Sequence, residues 1–273
     1  MGHVTTGGES VHLTALGRPF VVEIAGSGAA RLAARVRAAW SRCLDEGPGA
    51  ARATSIPVYV DDDPALVAEA RAAGSLAGSD DRDLMDALSP RVTTAAIVAG
   101  AGTLLMFHAG AVADPRTGRA VALVGASGAG KTTAVRRLAT DLGYVTDETV
   151  AIDGDDQVVA YPKPLSVLEP LQATKSQLSP DDLGLHGLDA RCHLASMVVL
   201  ARDPARRGAP SLEPVATLDA LAALAPETSS LARLSRPLHR LAGLLDGVGG
   251  LQRLHYRDAD DLAPLVTELV GAR

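Results

Sequence analysis

Apolar positions recur along this chain at two periods, and the change from one to the other marks out its elements. "PFVVEI" (19–24) and "IPVYV" (56–60) are short β-branched runs closed by Gly, Pro or Asp, as buried strands are. Between them "AARLAARVRAAW" (29–40) sets Leu32, Val36 and Trp40 on one face at helical spacing. Gly26-Ser27-Gly28 ahead of it is a connector or an anion-binding turn, and "PALVAEARAAG" (64–74) predicts a second helix. "GSLAGSDDRD" (74–83) has a linker's composition. The expected organisation is a small α/β region over 1–86, open to a role in acceptor recognition, followed by a larger region over 87–273.

In the larger region "ALSPRVTTAAIVA" (87–99) predicts a buried helix, and "TLLMFH" (103–108) and "GAVA" (110–113) predict buried strands. "DPRTG" (114–118) puts Pro and Gly in turn positions and should join "GAVA" to "RAVALV" (119–124) as a hairpin. A helix over 131–142 follows, with Gly143 as its C-cap. "YVTDETVAI" (144–152) reads as a strand, "DGDD" (153–156) as a tight turn, and "QVVAYPKPLSV" (157–167) as the strand running back. "ASMVVLAR" (195–202) is a further buried strand, and a Leu- and Ala-rich tail from about 215 to 271 has helical spacing broken by "GGLQRLHY". The uncharged run Val92 to Ala113 is long enough to span a bilayer, but its Thr, Gly and His108 favour a buried helix followed by strands.

Composition narrows the classes of function. With 47% hydrophobic but only 3% aromatic residues, the core must be built from Ala, Val and Leu. A net charge of −6, with arginines scattered among acids, argues against a nucleic-acid partner. Cys43 and Cys192 lie far apart without a CxxC pair, which fits a reduced, cytoplasmic protein. Cys192-His193 with His186 reads as packing and surface rather than a metal site. The first ten residues lack the basic and apolar segments of a secretion signal. The only lysines are Lys131, Lys163 and Lys175, so a lysine inside a phosphate motif carries unusual weight.

Such a motif is present. "GASGAGKT", Gly125 to Thr132, satisfies GxxxxGK[ST] between a predicted strand and a predicted helix. Gly128 and Gly130 allow backbone angles that turn amides inward, and the helix N-terminus adds partial positive charge. Gly125, Ala126, Ser127, Gly128, Ala129, Gly130, Lys131, Thr132 and Thr133 are therefore the expected nucleotide contacts. Lys131 would meet the β- and γ-phosphates, and Thr132 would ligate Mg²⁺.

A kinase also needs a group to orient or deprotonate the acceptor. A helix of about eleven residues carries the chain ~16 Å from the loop. A strand of about five residues brings it ~16 Å back. Asp147 and Glu148 therefore return to the level of the phosphates if the crossover is right-handed. A solvated acidic turn is the bland reading of the same pair. His108, in an apolar run, is a satisfied core residue unless a mixed sheet brings it to the nucleotide. Lys163, in "YPKP", is a surface lysine or a group facing a phosphate or an acidic acceptor.

Taken together, "FHAGAVADPRTGRAVALVGASGAGKTT", "GYVTDETVAI" and "VVAYPKPLSV" resemble the catalytic domain of HPr kinase/phosphorylase and its shorter relatives. Those relatives include kinases that tailor ribosomally made peptides such as lasso peptides. The resemblance covers about residues 95 to 170, and more loosely "ASMVVLAR" and "LHYRDADDL". It implies an α/β fold with a mixed-sheet P-loop core like that of phosphoenolpyruvate carboxykinase, beside the small N-terminal region and the helical C-terminal tail. It further implies Asp147 in the acid/base position, Glu148 at the metal or its water shell, and His108 near the transferred phosphate. The implied activity is ATP- and Mg²⁺-dependent phosphorylation of a hydroxyl on a peptide, protein or small molecule, with GTP and homo-oligomerisation both left open and no membrane partner. The second acid of the pair is Glu rather than Asp, a departure that lengthens its reach to the metal, and no segment matches the later Glu-containing motif of the bifunctional enzymes. The resemblance thus does not extend to phosphorylase activity or to HPr as acceptor. The competing reading is a nucleotide-gated regulatory module with NTPase activity, for which "MVVLARD" (197–203) would place Asp203 at the metal.

Overall fold

The computed structural model describes residues 8–45, 47, 53–168 and 175–271. Its first elements are β1 (Glu9–Ala15), β2 (Arg18–Ala25), α1 (Ala29–Ala39), β3 (Thr54–Val60), α2 (Pro64–Ala72), β4 (Leu76–Gly78) and α3 (Asp81–Gly100). The middle of the chain holds β5 (Leu105–Ala113), β6 (Arg119–Val124), α4 (Lys131–Leu138), β7 (Gly143–Thr146), β8 (Thr149–Ile152) and β9 (Val158–Val159). There follow β10 (Leu165–Leu168), β11 (Lys175–Leu178), β12 (His193–Arg202), β13 (Ser211–Val215) and α5 (Thr217–Leu224). The chain closes with β14 (Thr228–Ser229), α6 (Pro237–Gly247), β15 (Leu251–Tyr256) and α7 (Ala263–Gly271). Among the described residues no helix is long and apolar enough to cross a membrane.

Contacts divide the chain into two compact units, one drawn from residues up to Ala96 plus Lys163–Leu183, the other from Ile97–Pro162 and Gly184 onward. The division falls inside α3, ten residues beyond the boundary expected at 86, and the first unit takes back a later segment.

In the first unit, strand order is β1-β2-β3-β4, with β1 antiparallel to β2 and the others parallel. Phe20, Val22 and Ile24 of β2 and Ile56, Val58 and Val60 of β3 alternate inward at the two-residue period. Leu32 and Val36 of α1 are buried, and Trp40 is fully buried just after it. The amide of Ser27 donates to the Asp61 carboxylate at 3.0 Å, so the Gly-Ser-Gly turn is answered within the chain. The expected linker 74–83 is structured instead. Leu76 to Gly78 pair with β3 as β4, and the Asp80 carboxylate accepts the Arg82 amide at 2.6 Å as a cap for α3. Its polar residues belong to a cap and to the Arg31–Asp81 ion pair rather than to a tether.

The second unit is built on a mixed sheet with the order β13-β15-β12-β6-β5-β8-β9, and β7 and β14 also pair with β5. β5 and β6 form the expected hairpin, Ala113 opposite Ala120. The two strands expected before it are one continuous strand, Leu105–Ala113. Beyond β6 lie β12 and β15, both parallel to it. The tail carries helices α5, α6 and α7, and at the expected break "GGLQRLHY" it contributes a strand between β12 and β13, along which Leu251, Leu254 and Tyr256 are buried. Ala109, Ala111, Ala113, Ala120 and Ala122 make one face of β5 and β6 shallow, and Leu241, Leu244 and Leu245 of α6 fill that space.

Gly118, in the hairpin turn, has φ +73°, and a Cβ there would sit 1.9 Å from the Arg191 carbonyl oxygen. Gly118→Ala should therefore destabilise the protein by roughly 1–3 kcal/mol or more, read as a lowered urea midpoint.

Candidate nucleotide and phosphoryl-transfer site

β6 ends at Val124, and the glycine loop runs from there into α4. Gly128 and Gly130 adopt φ of +82° and +91°, the left-handed conformation that glycine reaches at no steric cost. Ala126, Ser127 and Gly128 are exposed. The Tyr256 hydroxyl donates to the Ala129 carbonyl at 3.2 Å and ties the loop to β15. Lys131 opens α4, is 6% exposed, and donates through Nζ to the Gly125 carbonyl and to the Ala126 carbonyl at 3.1 Å. Two of the ammonium's three donors are thus held by the loop itself. Burial pushes the Lys131 pKa down, and the Glu227 carboxylate opposes that shift. Thr132 is half-exposed on the first turn and Thr133 is exposed.

The acids come back by a route that the hydrogen-bond ladder fixes. α4 stops at Leu138, with Ala139 as its cap, four residues short of the expected end, and Gly143 begins β7 rather than closing the helix. β7 and β8 are two strands where one was expected. The bend falls at Asp147 and Glu148, where the Thr146 hydroxyl accepts the amides of Glu148 and Thr149, each at 3.4 Å. Val124 at the end of β6 pairs with Ala109 of β5, whose amide donates to the Glu148 carbonyl at 3.2 Å. The acidic bend therefore lies level with the start of the glycine loop, across β5, about 10 Å away laterally at two strand spacings.

The face is fixed as well. A Cβ on Gly110 would meet Val135 of α4 at 2.5 Å and the Asp147 Cα at 3.7 Å, which sets Asp147 on the side of the sheet that carries α4. Asp147 is 6% exposed, and its Oδ1 accepts the hydroxyl of the buried Tyr144 at 3.1 Å. Glu148 is half-buried.

His108 is exposed on β5, opposite Thr149 of β8, and is not part of the apolar core. On its other side β14 takes up the pairing of β5 where β6 has ended, with Thr228 opposite Phe107. That register puts Glu227 alongside His108, and Glu227 acts electrostatically on Lys131. Sequence reading overlooked Glu227 and Tyr144. "APETSS" carries no motif, while Tyr144 stands three residues before Asp147, a spacing that a bent strand end can close.

Asp203 follows β12, which runs parallel to β6 and directly beside it. Its Oδ1 accepts the Ala205 amide at 2.9 Å, and the residue is exposed in a turn. Lys163 belongs to the first unit, where it is 4% exposed and donates to the Pro164 carbonyl at 3.2 Å, so it is not a surface lysine. Cys43 and Cys192 are both buried free thiols, and burial pushes each up to about 12.

Among the described residues no group of three or more His, Cys, Asp or Glu is assembled for a metal. Mg²⁺ does not require one, since it is held by one or two carboxylates together with phosphate oxygens and water. The Thr132 hydroxyl and the Glu148 carboxylate are hard oxygen donors of that kind, and the residues fit the ion.

No family model matches the sequence, and none of the curated proteins matches it. Among solved structures, the chain is similar to the HPr(Ser) kinase/phosphatase from Coxiella burnetii, with a TM-score of 0.32 and 11% identity over 61% of this chain and 93% of that one.

Proposed function

We propose that this chain is a kinase that uses ATP and Mg²⁺ to phosphorylate a hydroxyl of a peptide, protein or small molecule. The observation that carries the reading is the position of Asp147, level with the start of the glycine loop and on the α4 side of the sheet. In this reading the loop amides from Gly125 to Thr133 and the Lys131 ammonium hold the β- and γ-phosphates. Thr132 and Glu148 would hold Mg²⁺, which supplies charge neutralisation across the phosphates. Asp147 takes the proton of the acceptor hydroxyl as its oxygen bonds to the γ-phosphorus. The bond from that phosphorus to the β–γ bridging oxygen breaks, and ADP leaves. His108, exposed at the same end of β5, is assigned to the neighbourhood of the transferred group. No contact described above reads a base, so GTP fits the loop equally.

Intact-mass measurement of peptides and proteins incubated with the chain and ATP tests the proposal. The expected result is one added phosphoryl group on an acceptor, with ADP formed in step. ADP formation that proceeds at the same rate without any acceptor would instead favour the nucleotide-gated module, for which the adjacent parallel β12 is the structural support.

Tyr144 is a positioning residue in this scheme. Tyr144→Phe should lower kcat about 10-fold while leaving the KM for ATP unchanged, because a hydrogen bond to a charged group contributes roughly 1.5–3 kcal/mol. In an Asp147→Asn background the same change should cost far less, which a steady-state double-mutant cycle would read.

A further inference from the structure

We propose that the groove between α2 and α3, floored by β4, docks an extended peptide segment with a basic end and a run of apolar side chains. Pro64, Val67, Ala68 and Arg71 of α2 line one wall. Asp83, Leu84 and Ala87 of α3, with Asp80 just before it, line the other. Each set falls at i, i+3, i+4 and i+7, the spacing of a single helix face. The cavity measures about 680 Å³, inside the ~300–1,000 Å³ range of ligand pockets, and lies wholly in the first unit. None of the nine residues of α2 is buried, so its Val67 and Ala68 face open space among the described residues. Ala77 and Leu84 make an apolar floor.

The charge around the groove names the partner. Residues 61–87 hold eight carboxylates against the guanidinium groups of Arg71 and Arg82, a balance equal to the net −6 of the whole chain. Arg82 lines a different cavity, beside β11, together with Arg35. Arg31 is forked onto Asp81 and acts on Asp62 through electrostatics alone. Counting Arg31 and Arg35 as well still leaves a balance of −4. Asp61 and Asp62 follow β3 and Asp80 follows β4, so the acids gather at the C-terminal end of two parallel strands. Asp62 and Asp83 are exposed there. A cationic group is drawn to that end, and apolar side chains fit the rest.

The backbone at the floor favours an extended chain. β4 is the last strand of its sheet. The Gly78 carbonyl accepts the Asp61 amide at 3.2 Å, so Gly78 bonds toward β3. Bonding residues alternate along a parallel ladder, and Ala77 therefore turns its N–H and C=O to the outer edge. The Arg71 guanidinium donates to that carbonyl at 2.7 Å, a basic shield of the kind that guards open sheet edges. A peptide strand can pair with such an edge while its alternate side chains enter the groove. The proposal does not rest on the kinase reading, since the glycine loop belongs to the other unit.

The test titrates the full chain against a fluorescein-labelled heptapeptide, Lys-Arg followed by alternating valine and threonine, and reads fluorescence anisotropy. The expected result is saturable binding that falls about tenfold when Glu-Glu replaces Lys-Arg. Asp62→Asn with Asp83→Asn, both at exposed positions, should weaken binding about tenfold. Should that pair disturb α3, Asp62→Asn alone should still weaken it about threefold. Methylating the amides of the peptide should cost about fivefold, because the β4 edge then loses its partners. Equal binding of the Glu-Glu peptide, or binding undiminished in the variants, would overturn the docking site. Displacement of the peptide by an equal concentration of spermine would assign the acids to a small polycation and overturn it as well.

Discussion

Asp147→Asn should reduce acceptor-dependent phosphoryl transfer by about 10²–10⁴-fold, the range that a positioned general base contributes. The substitution keeps the shape of the side chain and its contact with Tyr144, but an amide cannot take the acceptor's proton. Nucleotide affinity should be unchanged, since Asp147 stands across β5 from the glycine loop rather than within it. Single-turnover measurement with saturating ATP separates the two quantities. Transfer at the wild-type rate would remove the basis for placing Asp147 in the reaction and leave a nucleotide-binding chain.

Lys131→Ala should have the complementary effect. Ligand at 100 times its Kd stabilises a folded protein by about 2.7 kcal/mol, which for a chain of this size is a rise in Tm of roughly 5–10 °C. The wild type and Asp147→Asn should both show that rise with Mg²⁺ and ATP. Lys131→Ala should lose most of it, because the charge that would face the β- and γ-phosphates in the proposed site is gone. In the absence of nucleotide the variant should melt close to the wild type, since among the described residues the Lys131 ammonium bonds to two carbonyls of a loop whose outer residues are exposed. A full ligand-induced shift in Lys131→Ala would place the nucleotide elsewhere.

The parts of this site that could be read from the sequence are those whose chemistry is local. The glycine loop and the "DPRTG" hairpin are written in residues that tolerate few other conformations, and both stand where expected. The return of Asp147 and Glu148 also followed from helix rise and strand rise, even though the helix is shorter and the strand is bent. What stayed hidden depends on distant partners. "LQRLHY" has apolar residues compatible with either period, and only its place between β12 and β13 makes it a strand. "GSLAGSDDRD" looked like a tether because its acids are polar, but Asp80 and Asp81 are polar in the service of a cap and a part-buried ion pair. Glu227 reaches the site only because β14 continues the pairing of β5 after β6 has ended.

β5 therefore acts as the ruler of the site. The lysine-bearing loop, the acidic bend and the Glu227 turn are all indexed to its backbone ladder. Spacing set in this way is indifferent to which aliphatic residues fill the interior. Lineages descending from this protein could exchange most of their Ala, Val and Leu and still keep Asp147 and the glycine loop in register, provided that no residue is gained or lost along that single strand.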